Sequence, residues 1–345
     1  MSKERSKQLL RIGLAVGTVA SLYFVPWPLV WAWILPLPDT VQEQLDEGIS
    51  HGFDGMIVYI DQAGKPPGLY SAGWHDREKK IPADPEALFK IASIGKLYDA
   101  VAITKLVGDG RLSLDKTLAE YFPELAGRIE HAERITLSMM VQHRSGIPNY
   151  TDTPGFWTDP PESSEETLAL VLDQSADFMP GEDYGYSNTN YLLLSELVEK
   201  VTGRSKFEYI QEKVLAPLGL KYTYASMDEV DADKVMSGYY AGIEEDIKMA
   251  DYGSMVATAE DVAIFLRALN DGSLLSKDEQ AIYSSLYEYE HTGLIPGYQS
   301  IAKYYPDTDT VIVQFVNSTD FEGYTWSLSE IVYGRIVKIV RREEG

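Results

Sequence analysis

Cysteine is absent from the 345 residues, which removes disulfide scaffolds, Cys-ligated zinc or iron–sulfur sites, thiol catalysis and a lipidated cysteine anchor. Stability must come from packing, which a chain of this length can supply. Histidine is scarce as well. His51, His75, His131, His143 and His291 show neither His-x-His nor His-Glu-x-x-His spacing, so the sequence implies no metal and no other cofactor. Basic residues number 30 against 53 acidic ones, for a net charge of -23. Phosphate backbones repel such a body, which argues against nucleic-acid binding through a basic face. Low-complexity composition and internal repeats are also missing, and 45% apolar residues place the chain among ordinary folded proteins.

What the chain does have is one long run without charge. No charged residue occurs from 12 to 38, and Lys3, Arg5, Lys7 and Arg11 precede it with only Glu4 opposing, so residues 1–38 sum to +3 and the remainder to -26. At 1.5 Å per residue, about 20 residues cross a hydrocarbon layer of roughly 30 Å, and residues 12–33 therefore predict a transmembrane helix in contact with a lipid bilayer. The basic flank predicts a cytoplasmic N-terminus and a body on the outer side of a bacterial cytoplasmic membrane. Trp27, Trp31 and Trp33 fall where an outer aromatic belt belongs, and Pro26 and Pro28 predict a kink or an end. Cleavage as a signal peptide near Ala32 is the alternative, disfavoured because Trp and Pro crowd the region in place of small residues.

The body, residues 39–345, begins with a helical pattern over 39–52 and a strand pair over 55–60 and 69–74. Helix-like apolar spacing follows at 93–108, 137–143, 166–172, 191–202, 207–214 and 259–270. Strands return at 298–305 and 310–317, before a closing amphipathic helix over 326–340. Strands at both ends around a helical middle predict an α/β fold of the α+β type. One antiparallel sheet is built from both chain ends and flanked by helices, with an inserted helical lobe at about 101–250. The Pro-rich segment 149–166 reads as a long loop, either a lid or a surface excursion.

Ser93-Ile94-Gly95-Lys96 opens one of these helices. Residues three apart share a helix face, so the Lys96 amine can reach the Ser93 hydroxyl and take its proton once desolvation or nearby cations favour the neutral amine. Free N–H groups at the helix start favour developing negative charge. The spacing alone is weak, because Ser113 with Lys116 and Ser300 with Lys303 share it. Ser113 reads as a cap for the next turn, and Ser300 lies in a strand, where residues three apart face opposite ways. Tyr186-Ser187-Asn188, after a Pro180-Gly181 turn, adds a phenol able to carry protons and an amide able to hold Lys96, or alternatively a helix cap. His291-Thr292-Gly293 leads into Leu294 and a strand, where Gly293 lets a substrate backbone approach.

These segments resemble the penicillin-binding-protein-like serine hydrolases, which include class C β-lactamases, D-alanyl-D-alanine carboxypeptidases, D-aminopeptidases and related esterases. That group places Ser-x-x-Lys, Tyr-x-Asn and Lys- or His-Thr-Gly in this order. Residues 139–148 look like its Leu-Leu-x-His-x-Ser-Gly-Leu-Pro segment, 178–181 its Phe-x-Pro-Gly turn, and 253–261 its Gly-x-x-x-Ser-Thr-x-x-Asp helix entry. The resemblance spans about 40–340. It implies Ser93 as acylated nucleophile, Lys96 as its proton acceptor or assistant, and Tyr186 as proton carrier, without fixing which of the two is the base. It further implies Asn188 orienting Lys96 and a substrate amide, His291 and Thr292 facing a substrate carboxylate or carbonyl, and an oxyanion held by the amides of Ser93 and Leu294. The substrate would be a small molecule or peptide, cell-wall peptide included. His291 stands where many penicillin-recognising members carry Lys, and an imidazole near its ordinary 6.5 bears little charge at neutral pH, which tilts the expectation toward a peptidase or esterase and away from an efficient β-lactamase.

Two rivals are weaker. Residues 48–52 match the Gly-x-Ser-x-Gly elbow, but that turn needs a strand before it and a helix after it, and here the order is reversed. A catalytically silent binding or scaffolding protein on the same fold has no chemical need for the intact set Ser93, Lys96, Tyr186 and Asn188.

Overall fold

The computed structural model describes residues 3–342. The first two residues of the 1–38 segment and the last three of the 39–345 segment lie outside them. Six strands form one antiparallel sheet in the order Ile81–Pro82, Gly68–Asp76, Gly55–Gln62, Thr310–Val316, Tyr298–Tyr305, His291–Ile295. The first and last thirds of the chain therefore meet at its centre, where Met56 stands opposite Val316 and Gln62 opposite Thr310.

Strand side chains alternate in direction, and that alternation sorts the sheet into two cores. Ile57, Tyr59, Val313 and Phe315 face a large core that includes Leu97 and Val101 of the helix Gly95–Gly108. Met56, Val58, Ile312 and Val316 face a second core, closed by Leu328, Val332 and Ile336 of the C-terminal helix Thr325–Arg342. Between the strands the chain is mostly helical, with Leu137–Val141, Ser164–Ala169, Asn188–Thr202, Lys206–Ile210 and Ala259–Asn270 close to where apolar spacing puts them. The architecture is the mixed α/β arrangement that the distribution of strands predicts.

The transmembrane expectation needs correcting. Residues 12–33 do not form one helix: Lys3–Tyr23 ends, and Trp27–Ile34 starts in a new direction. Pro26 has no N–H to donate and drives Val25 away from helical geometry, whereas Pro28 is tolerated in the first turn of the second helix. No single helix among the described residues is long and apolar enough to cross a membrane. Arg11–Tyr23 and Trp27–Ile34 meet that condition only as a pair bent by 81°.

Smaller differences have local causes. Thr117, not Ser113, caps the short helix Leu118–Tyr121, because the reciprocal Thr117–Glu120 capping box outcompetes a lone serine. The helix Lys277–Leu286 escaped the apolar-spacing criterion, although the Ser276–Glu279 capping box marks its start. Residues 48–52 close the helix Val41–Ser50, with Gly52 at φ +118, and are no nucleophile elbow.

Phe315 stacks on Phe89 with ring centroids 4.5 Å apart, joining the central strand to the segment that leads into Ser93. Both rings are buried. Phe315→Ala should lower unfolding free energy by about 3–5 kcal/mol in denaturant titrations, by loss of apolar burial and creation of a cavity.

Candidate active site

Three hydrogen bonds shape the turn that carries Ser93. The Ile91 N–H donates to the Met255 carbonyl at 3.0 Å, the Ala92 N–H to Ser254 Oγ at 2.9 Å, and Ser300 Oγ to the Ile91 carbonyl at 3.0 Å. They hold Ala92 at φ +50, a left-handed conformation that costs an L-residue about 1–2 kcal/mol. The 3₁₀ turn Ala92–Ile94 then delivers Ser93 to the start of the helix Gly95–Gly108. The serine of the third Ser-x-x-Lys pair thus supports the first, while its Lys303 turns away to Glu290 at 2.8 Å. Gly293 on the edge strand passes so close that a Cβ there would lie 2.5 Å from the Ile91 carbonyl oxygen and 2.4 Å from Ser300 Oγ.

Lys96 occupies the first turn of that helix and is buried. Its Nζ donates to Ser93 Oγ at 3.1 Å and to Asn188 Oδ1 at 2.8 Å, and lies 5.1 Å and 5.3 Å from the ring centroids of Tyr186 and Tyr191. The Tyr186 hydroxyl donates to Ser93 Oγ at 2.8 Å. Two donors therefore converge on one hydroxyl oxygen, an arrangement that favours negative charge there. Either donor, once it has lost a proton, can take the serine proton over the same short path.

Residues 143–146 and 178–185 position Tyr186. The N–H groups of Asp177, Gly181 and Gly185 donate to the carbonyls of Gly146, Arg144 and His143, respectively. His143 Nδ1 accepts from the Ser187 N–H at 3.1 Å, and its ring stacks on Tyr186 with centroids 4.4 Å apart. Burial, with smaller contributions from the charges of Lys96 and His291, pushes the His143 imidazole down to about 3. It is a neutral spacer behind the phenol. Asn188 is the first residue of the helix Asn188–Thr202, whose N-cap is Ser187, so Asn188 is not itself the cap.

Asn149 and Thr151 were not recognised in the sequence. Asn149 Oδ1 accepts from the backbone N–H and the side-chain Nδ2 of Asn188 at 3.0 and 3.3 Å, and Thr151 Oγ1 accepts from the same Nδ2 at 3.3 Å. These contacts fix the amide so that Oδ1 points at Lys96. Their signal was the position of Asn149 directly after the 139–148 segment.

His291, Thr292, Gly293 and Leu294 belong to the edge strand His291–Ile295, which pairs with the strand that follows it. Leu294 and Ile295 line the cleft beside Ser93, whereas His291, Thr292 and Gly293 are not among its walls. His291 Nε2 accepts from the Tyr287 hydroxyl at 2.9 Å, and Nδ1 donates to the Thr292 carbonyl. Burial is the main reason its imidazole is pushed down to about 4, with Lys96 acting in the same direction against the Thr292 bond. This strand therefore brings no cation to the site at neutral pH.

The cleft measures about 480 Å³. Tyr150, Phe156 and Trp157 of the 149–166 loop form one wall, so that segment covers the site. Trp157 meets Tyr252 and Phe321 edge-on at 5.4 and 5.7 Å. Asp99, one turn beyond Lys96, is committed to Lys206 at 2.8 Å. Among the described residues no group of three or more His, Asp or Glu side chains is placed to hold a metal ion.

A family model described as Beta-lactamase matches residues 37–288. Protein flp of Staphylococcus aureus strain MW2 is 30% identical over 193 residues, 54% of this chain but only 39% of that protein. Penicillin-binding protein 4 of Amycolatopsis lactamdurans is 27% identical over 63% of this chain and 59% of its own length. The chain thus spans about two fifths to three fifths of these curated relatives. The solved structure of D-amino acid amidase from Ochrobactrum anthropi, complexed with L-phenylalanine amide, superposes with a TM-score of 0.77. At 23% identity it covers 88% of this chain and 98% of its own, a likeness of fold.

Gly293→Ala must displace the Ile91–Ala92 turn, and a shift of about 1 Å in a reacting group can cost roughly 100-fold in rate. Covalent labelling of Ser93 by a fluorophosphonate should slow by about that factor, read as a labelling rate by intact mass. His143 and His291 both bind a proton less readily when folded than when unfolded, where histidine titrates near 6.5. Their stabilisation is complete above about pH 6.5. It is lost as pH falls from there towards about 4 for His291 and about 3 for His143, by up to about 1.4 kcal/mol per pH unit for each ring. Denaturant titrations of His291→Gln should show a shallower fall in stability across that window than the unsubstituted chain.

Proposed function

The chain belongs to the Beta-lactamase family, and on that premise we propose that it is a serine hydrolase that acylates Ser93 with an amide or ester substrate. The observation carrying this reading is the placement of Ser93 Oγ within hydrogen-bond distance of both Lys96 Nζ and the Tyr186 hydroxyl. Ser93 Oγ adds to the substrate carbonyl carbon while its proton passes to whichever of Lys96 and Tyr186 is unprotonated. The oxyanion rests on the amides of Ser93 and Leu294. Collapse breaks the carbonyl bond to nitrogen or oxygen, and the leaving group departs with a proton from the same pair. Water then adds to the acyl carbonyl, gives a proton back through that pair, and releases the acid. Asn188, fixed by Asn149 and Thr151, keeps Lys96 aimed at the serine.

Substrates without a carboxylate suit this cleft best. Its aromatic walls favour apolar groups, His291 is neutral, Lys206 is paired with Asp99, and Lys96 is turned to Ser93 and Asn188. Amides and esters of amino acids, D-configured ones included, are therefore favoured over carboxylate-bearing β-lactams. The basic flank and exposed apolar residues 12–24 support membrane attachment through residues 11–34, with the catalytic body on the outer side.

Nitrophenyl esters, D-amino-acid amides, D-Ala-D-Ala peptides and nitrocefin offered to the purified protein test the reading. Turnover should be fastest on the esters and amides that lack a carboxylate, and Ser93→Ala should lower it by roughly ten-thousand-fold with the fold intact by circular dichroism. Full activity in Ser93→Ala, or no probe adduct at Ser93 in the unsubstituted chain, would remove the acyl-serine mechanism.

A further inference from the structure

The helix Trp27–Ile34 has two unlike faces. Ala32 is buried, and Leu29 packs with it into the core closed by the C-terminal helix. Trp27, Trp31 and Ile34, spaced by four and three along the opposite face, are exposed, and Trp33 is 76% exposed. A soluble surface helix turns its apolar stripe inward, and this one also turns a stripe outward.

The segment that follows is not a flexible linker. Arg335, itself buried, donates to the carbonyls of Leu35 and Pro36 at 2.8 and 2.9 Å, to Gln44 Oε1 at 2.6 Å and to Glu47 Oε2 at 2.9 Å. Arg342 donates to the carbonyls of Pro38 and Asp39 at 2.8 and 2.9 Å. Residues 35–39 are thereby fastened to the C-terminal helix, and the tryptophan helix holds a fixed direction relative to the catalytic body.

The preceding helix Lys3–Tyr23 has its charged residues confined to the first half, and its charge-free part, residues 12–23, is about 18 Å long at 1.5 Å per residue, shorter than the hydrocarbon layer of roughly 30 Å. Long basic side chains there can reach back to the headgroups. The 81° bend then sets the tryptophan helix nearly at right angles to it. If Lys3–Tyr23 stands along the bilayer normal, Trp27–Ile34 lies in the plane of the interface, the depth that indole rings prefer.

We propose that Trp27–Ile34 is a membrane-interface platform, lying flat at the outer headgroup boundary of a lipid bilayer and holding the catalytic body at one fixed orientation. The inference rests on the reading that residues 11–34 attach the chain to a membrane. The platform and the Ser93 turn lie on opposite faces of the sheet, the first packed with Ala32 in one core and the second next to Ile94 and Leu97 in the other. The sheet and the large core thus stand between the bilayer and Ser93, and the substrate class that fits is water-borne, not acyl chains within the membrane.

The full-length chain is reconstituted into phosphatidylcholine vesicles carrying bromine either near the headgroup end or near the methyl end of the acyl chains. The protein should float with the vesicles. Tryptophan emission should be quenched more by the shallow bromine, and the Trp27→Phe, Trp31→Phe, Trp33→Phe triple variant should float equally well but lose most of that quenching. Flotation with quenching unchanged in the triple variant, or stronger from the deep bromine, overturns the platform and leaves membrane attachment standing. Failure of the unsubstituted chain to float overturns attachment, and the platform with it.

Discussion

One buried amine organises the site. Lys96 is withdrawn from water and, among the described residues, forms no ion pair. Such a polar group is costly to bury unless other polar groups replace its hydration. The replacements are the Ser93 hydroxyl, the Asn188 carbonyl oxygen and the faces of two tyrosine rings. Other features follow from it. Asn188 must present oxygen and not nitrogen, which Asn149 and Thr151 enforce by occupying its NH₂ group. Burial above all, with Lys96 adding to it, pushes both His143 and His291 toward neutrality, so neither ring adds a charge beside the nucleophile.

The secondary segments work as scaffolding for that arrangement. Residues 143–146 and 178–185 form a small lattice of backbone hydrogen bonds whose product is the height and tilt of the Tyr186 ring. On the other side, the edge strand and Ser300 press the Ile91–Ala92 turn into a conformation that Ala92 would not adopt in isolation. The strain at Ala92 and the missing side chain at Gly293 are two sides of one close approach.

What could be read from sequence divides along the range of the interactions. Ser93 and Lys96 are three apart on a helix, so their meeting is a local consequence of 3.6 residues per turn. The central strands were legible from their sequence pattern, and the helix Ala259–Asn270 from its apolar spacing. The partners of Asn188 were not, because Asn149 and Thr151 reach it only through the tertiary course of the 149–166 loop. The edge strand His291–Ile295 is short and contains Gly293, which weakens a strand pattern, so its paired state depends on the neighbouring strand Tyr298–Tyr305. The break in the N-terminal helix was legible too, because Pro26 and Pro28 mark it, and it leaves no single helix over residues 12–33.

The sheet's interleaved construction also sets when the protein can become active during its synthesis. Gly55–Gln62 waits for Thr310–Val316, and the turn bearing Ser93 waits for Gly293 and Ser300, all of which leave the ribosome late. Pairings this distant along the polypeptide cannot close early, so an unfinished chain keeps an open strand edge and an unassembled nucleophile. A chain that lacks those late segments has neither a closed central sheet nor the contacts that shape the Ser93 turn.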